Sequence, residues 1–253
     1  MIRYVLRVEY DGAPFVGWQR QPAGLSVQQA IEDAASRLVG GAAVTASAAG
    51  RTDAGVHAEA QVVQIDLARQ IDSGTLRDAL NFHLRPHPVA VLAAGVAAEG
   101  FHVRFSATGR AYRYRILDRR APPALDRGRV WHVTRRLDAA AMHDAAQVLL
   151  GRHDFSSFRA ASCQASGPVR TLDRLDVTRV GDEIVIAAAA RSFLHHQVRN
   201  MVGTLKRVGE GEWNVDDIAR ILAAADRRAA GQTAPPEGLT LTDVRYPEGA
   251  CPV

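Results

Sequence analysis

The chain has 253 residues, 47% hydrophobic and 23% charged. No run approaches the ~18 apolar residues of a membrane span, so the composition is that of a soluble globular protein with length for one large core or two smaller ones. The net charge of +4 is a mild pointer to a polyanionic partner, although the bias toward arginine over the single Lys206 also fits a genome rich in G and C. Cys163 and Cys251 are too few for a disulfide framework and form no metal-type pair. Residues 1–7 alternate like a strand rather than forming the apolar core of a secretory signal, and the cytoplasm is the expected compartment.

In chain order, Ile2, Tyr4, Leu6, Val8 and Tyr10 alternate on one face and predict a strand, broken at Asp11-Gly12-Ala13-Pro14. Ser26, with Gln29 three residues on, opens a helix whose stripe is Val27, Ile31, Ala34 and Leu38; Gly40-Gly41 ends it. A strand is expected from Gln61 to Leu67, a short helix around Leu76–Leu80 stopped by Pro86 and Pro88, and a strand from Val89 to Val96. Ala111–Leu117 alternates tyrosines and arginines. Asp138 caps a helix carrying Met142, Ala145 and Leu149, and Leu175–Val180 with Glu183–Ala189 reads as a hairpin about Gly181-Asp182. Val198, Met201, Val202 and Leu205 give helical spacing, Asn214 caps another helix, and Leu239–Tyr246 closes as a strand. Each half reads as strand-helix-strand-strand-helix-strand, with a boundary near residues 100–109. The class is α+β with largely antiparallel sheets.

Three constellations carry candidate chemistry. Arg51, Thr52, Asp53 and His57 sit in a turn-prone segment before a strand. A carboxylate there can attack a sugar carbon or act as a base, and a nearby guanidinium would keep it ionised; an exposed loop with a weak surface pair is the bland reading. Tyr112 and Tyr114 among Arg110, Arg113 and Arg115 can stack bases and meet phosphates, or can simply form a half-buried strand. Ser192, His195, His196, Arg199 and Gly203 are expected on one helix face, with Gly203 permitting close backbone approach. A metal site competes on the strength of nine histidines, but His195-His196 is adjacent in sequence, Pro86 interrupts His83 and His87, and no His-Glu-x-x-His run exists. Phosphate-loop and dinucleotide fingerprints are missing as well.

Longer blocks carry a resemblance. Tyr10-Asp11-Gly12-Ala13-Pro14-Phe15-Val16-Gly17-Trp18-Gln19-Arg20-Gln21 with Ser26-Val27-Gln28, and Gly50-Arg51-Thr52-Asp53-Ala54-Gly55-Val56-His57-Ala58, resemble the opening and the catalytic motif of the bacterial tRNA pseudouridine synthase A family. Phe101–Ala107 leading into Tyr112-Arg113-Tyr114, Gly151–Phe155, Ser192–Gly203 and Ala234–Leu239 are similar to further blocks, in order, over essentially the whole chain.

The resemblance implies a pseudouridine synthase fold of two similar halves, residues 1–105 and 106–253, with sheets meeting at a central cleft. It implies isomerisation of uridine to pseudouridine in the anticodon stem-loop of tRNA, at positions 38, 39 and 40, by a homodimer without cofactor or metal. Asp53 maps to the nucleophile, Tyr112 to the base-stacking tyrosine, Arg199 to the aspartate's partner and Arg51 to an arginine associated with flipping the base. Leu239 or Leu241 packs near the base. His195, Gln197, Ala60, Arg85 and Val103 depart from the family's usual residues and bear on local RNA contacts rather than the reaction. The alternatives are a non-catalytic RNA-binding module and a related synthase with a different RNA target.

Overall fold

The computed structural model describes all 253 residues. In chain order they form β1 (Ile2–Tyr10), α1 (Val27–Leu38), β2 (Ala46–Ala48), β3 (His57–Leu67), α2 (Ser73–Leu84), β4 (Val89–Val96), β5 (Gly109–Leu117), β6 (Trp131–His132), α3 (Ala139–Gln147), β7 (Gly151–Asp154), β8 (Val169–Val180), β9 (Glu183–Ala190), α4 (Gln197–Gly209), α5 (Val215–Ala224) and β10 (Leu239–Arg245), with short 3-10 turns between some of them. The chain is thus mixed α/β; β1 with β3 and β4, β2 with β3, β5 with β9, β7 with β8 and β8 with β9 pair antiparallel, and β5 with β6 pairs parallel. No helix is long and apolar enough to cross a membrane.

By contact the chain divides into two compact units, Met1–Gly109 with Leu241–Val253, and Arg110–Thr240. The sequence reading places a single cut after residue 105. The contacts add the return of the C-terminal residues to the first unit. Thr108 N donates to Arg245 O at 2.8 Å, and Tyr246 donates its hydroxyl to Val103 O at 2.6 Å. The Tyr246 and Phe101 rings lie 5.3 Å apart.

In the first unit β1 is central. It pairs antiparallel with β3 (Tyr4↔Ile65, Leu6↔Val63) and with β4 (Tyr4↔Val96, Tyr10↔Val89), while β2 adds to β3 through Ala48↔Val63. In β1 Tyr4, Val5 and Leu6 are all sealed, so both faces of the strand are covered there and burial does not alternate. Helix α1 buries Val27, Ala30, Ile31, Ala34 and Ala35, and α2 buries Leu76, Leu80 and Leu84. Ser26 caps α1 by accepting from Gln29 N, and Asp72 caps α2 by accepting from Thr75 N.

In the second unit β5 pairs with β9 (Tyr112↔Ala188, Tyr114↔Ile186), β9 with β8 across a hairpin at Gly181-Asp182, and β8 with β7. Ala188 lies opposite Tyr112 and Leu175, and Ala190 opposite Leu172, which leaves those larger side chains room to pack. Helix α3 lies on β8 and contacts α4 and α5. Asn214 and Asp217 cap α5 reciprocally in a complete capping box. Cys163 and Cys251 are both free.

Candidate active site

The Asp53 loop is fastened at almost every residue around the aspartate. Before it, Gly50 O accepts from the buried Gln61 Nε2 at 2.8 Å. Thr52 is buried; its carbonyl accepts from Trp18 N at 3.0 Å and its hydroxyl shares a 2.7 Å hydrogen bond with Tyr10. After it, Val56 N donates to Asp53 O at 3.1 Å and closes a tight turn in which Gly55 takes φ +77. Burial raises the Tyr10 phenol to about 12 despite the hydroxyl of Thr52 and the amide of Gln61, so it stays neutral as this strut at physiological pH.

Two glycines of the Tyr10–Gln21 block explain why that block accompanies the loop. A Cβ on Gly12 would fall 2.1 Å from Val56 O, and one on Gly17, at φ +104, would fall 2.9 Å from Thr52 O. The two sequence blocks are halves of one packed structure. His57 completes it, accepting from Gly12 N at Nδ1 (3.0 Å). A backbone N–H that needs a partner makes this nitrogen an acceptor, so Asp11 Oδ1, 3.1 Å from the same atom, is a polar neighbour rather than an ion pair while the ring is neutral. Gln28 and Glu32 extend the anchoring. Gln28 Oε1 accepts from Arg20 N and Gln19 Nε2, and Glu32 accepts from Ala46 N and the Arg20 guanidinium. Held in this frame, Asp53 is half-buried. Arg51, two residues before it, is exposed and unpaired.

In the second unit Tyr112 is half-buried on β5, its ring meeting Phe193 at 5.3 Å and 86°. Arg199 lies on α4 and donates Nε to Ala234 O at 2.8 Å, while Ala234 N returns a bond to Arg199 O at 3.1 Å. Tyr114 holds the same segment, donating its hydroxyl to Pro235 O at 2.7 Å; burial and Glu237 push its phenol up while Arg199 opposes them. Gly238 lies flush on the Tyr114 ring, where a Cβ would fall at 2.6 Å. Residues 234–239 are thereby tied to both the strand of Tyr112 and the helix of Arg199, and Leu239 follows directly. Leu239 keeps 6% exposure, whereas Leu241 has none.

The expected helix face near Arg199 is corrected in part. Helix α4 starts only at Gln197, and His196 caps it in the left-handed region (φ 61), so Ser192 and His195 belong to the preceding turn. Gly203 does permit close approach: a Cβ there would lie 1.8 Å from Gln232 O. Sequence reasoning did not single out Phe193 or the Tyr10–Thr52 strut as site-forming residues. Their one signal is that they fall inside the long blocks.

A model of the tRNA pseudouridine synthase family matches residues 7–106 and 145–247, and the chain belongs to that family, whose members are isomerases. The similar proteins carry a more particular name. The tRNA pseudouridine synthase A of Acidiphilium cryptum is 64% identical over 247 residues, covering 97% of each chain. That of Rhodospirillum centenum is 63% identical over 246 residues, covering 97% of this chain and all of its own. That of Rhodospirillum rubrum is 60% identical over 253 residues, covering the whole of this chain and 91% of its own.

Proposed function

We propose that this enzyme converts uridine to pseudouridine in the anticodon stem-loop of tRNA, at positions 38, 39 and 40, with Asp53 as the nucleophile. The full-length likeness to tRNA pseudouridine synthase A proteins supports tRNA as the substrate. The observation that carries the role of Asp53 is the buttressing of its loop. A solvated loop needs no sealed Tyr10–Thr52 strut and no glycine pressed onto Val56 O, whereas a reacting carboxylate gains from a fixed geometry.

The reaction breaks the N1–C1′ bond of uridine and forms C5–C1′; C5 loses its proton and N1 gains one, so no electrons are exchanged. The base first leaves its stack, at a cost of a few kcal/mol. Tyr112 returns part of that by stacking, and exposed Arg51 is available to take the vacated place in the RNA. Arg199 supplies the positive charge that favours the ionised carboxylate. Leu239, which retains accessible surface, is a better base contact than sealed Leu241. The enzyme acts as a homodimer, which light scattering on the purified protein checks.

Asp53→Asn is expected to abolish pseudouridine formation in full-length tRNA, read by mass spectrometry, while tRNA binding persists. Activity retained in Asp53→Ala would refute the assignment. Mapping pseudouridine in total RNA from cells with and without the protein tests the target: loss at sites other than 38–40 would favour a synthase with a different RNA specificity.

A further inference from the structure

Between β5 and α3 the chain makes an excursion, residues 118–136, that the family model leaves unmatched. It contains six arginines (Arg119, Arg120, Arg127, Arg129, Arg135 and Arg136) against Asp118 and Asp126, a net charge of +4 that equals that of the whole chain. The remainder of the protein is neutral on balance, so its basicity is concentrated here.

The fold draws this charge together. β6 runs back along β5 with Ile116 opposite Trp131 and Leu117 opposite His132, and His132 Nε2 bonds Arg119 O at 2.8 Å. Arg119 and Arg136 converge on Asp182 at 3.8 and 3.3 Å, which sets the two arginine pairs side by side. The local acids are each committed. Asp118 is sealed beneath Arg179 and Leu137 N, Asp126 accepts from Arg115, and Glu183 accepts from Arg115 as well. Arg120, Arg127 and Arg135 are exposed and pair with nothing. Unpaired surface arginines beside spent carboxylates suit a ligand with several negative charges.

The place of the patch says what it does not do. From Tyr112 to Leu117 β5 spans about 17 Å. Arg119 and Arg120 follow that end, and Arg135 and Arg136 follow His132, which lies opposite Leu117, whereas Arg127 and Arg129 precede Trp131 and Asp126 reaches back to Arg115. The patch therefore gathers at the Leu117 end of β5 rather than at a base stacked on Tyr112.

We propose that this surface holds the phosphate backbone of tRNA away from the uridine being isomerised, an inference that rests on the reading of tRNA as substrate. Its contacts are to phosphate and carry affinity without sequence.

The test is a triple variant, Arg120→Ala with Arg127→Ala and Arg135→Ala, which removes no contact within the protein. Binding of full-length tRNA is expected to weaken at least about tenfold at ~0.15 M salt, and the slope of log K against log salt to become shallower by about three. At saturating tRNA kcat and the modified positions stay unchanged, because the contact is equal in ground and transition states. The corresponding triple lysine variant restores most of the affinity. A charge-matched control, Arg37→Ala with Arg69→Ala and Arg220→Ala, takes exposed arginines outside the patch and is expected to bind as the wild type does.

Wild-type affinity and salt slope in the patch variant would overturn the proposal, as would equal loss in the control, which would reduce the effect to bulk charge. A fall in kcat at saturation would place these residues in the reaction instead. Failure of the wild-type enzyme to modify tRNA at all would sink the reading of function while leaving the binding comparison interpretable.

Discussion

The Tyr112 ring packs edge-on against a neighbouring aromatic side chain. Phe193 meets it nearly perpendicular at 5.3 Å, and such a pair fixes the plane of both rings. Phe193 is in turn set by Gln197, whose Oε1 accepts from Leu194 N at 2.8 Å while its backbone N donates to Leu194 O at 3.0 Å. If Tyr112 stacks the target base, Phe193 is its positioning residue. Phe193→Ala is expected to lower kcat/KM about fivefold, corresponding to an aromatic contact of about 1 kcal/mol, with little change in melting temperature. Phe193→Tyr keeps the ring and most of the activity. A loss equal in both variants, or one that tracks thermal stability, would show that the contact is only packing. Tyr112→Phe is likewise expected to retain more activity than Tyr112→Ala, read in the same tRNA assay. Asp53 and Tyr112 were legible as candidates from residue type together with the family resemblance, but no periodicity could point to Phe193, because edge-on ring contact depends on a turn whose left-handed residue, His196, carries no glycine to announce it.

Among the elements, β5 depends most on a single charge. Asp118 at its end has a fully buried side chain that accepts from Leu137 N at 2.9 Å and takes Arg179 on both oxygens, at 2.9 and 2.7 Å. Burial alone would raise its carboxyl, but the Arg179 hydrogen bonds, the Leu137 amide and the charges of Arg179 and Arg136 outweigh it and hold the group below its ordinary value. A depressed carboxyl stabilises the fold above the unfolded pKa of about 3.9, and that contribution is lost as pH falls through the lower folded value. Asp118→Asn is therefore expected to cost about 3 kcal/mol at pH 7 in urea unfolding, and the gap from wild type to narrow below pH 4. A gap independent of pH would show that shape, not charge, matters there. The ends of the elements also show what sequence patterns can reach. β1, β4 and the caps of α1, α3 and α5 follow from alternation and from Ser26, Asp138 and Asn214. Strand β3 begins at His57 rather than Gln61, since His57–Ala60 are fixed by the Asp53 loop and not by alternation. β2, β6 and β7, of two to four residues, are too short for any period to register and exist through their partners.

At the scale of the molecule, a chain of two halves in sequence order would have its first half complete at Gly109. The contacts say otherwise: Leu241–Val253 belongs with Met1–Gly109. Within that unit Leu241 is sealed, Val244 is 8% exposed, Arg245 O and the Tyr246 hydroxyl bond the 103–108 segment, and a Cβ on Gly95 would lie 2.8 Å from Pro252. Two deletions separate these contributions. Ending the chain at Tyr246 sacrifices the packing on Gly95 and the partial burial of Ala250, Cys251 and Val253, and the melting temperature is expected to fall by no more than about 3 °C. Ending it at Thr240 removes two buried side chains worth about 2 kcal/mol each, together with the backbone and hydroxyl bonds, and is expected to lower the melting temperature by about 10 °C or more. The damage should be local in hydrogen exchange, with protection lost first in β1, β3 and β4 rather than in β8 and β9. Equal loss of protection in both units would mean that they unfold as one cooperative body. Full protection of β1 in the Thr240 deletion would mean that the first unit is self-sufficient, and that the C-terminal segment is held by the first unit without supporting it.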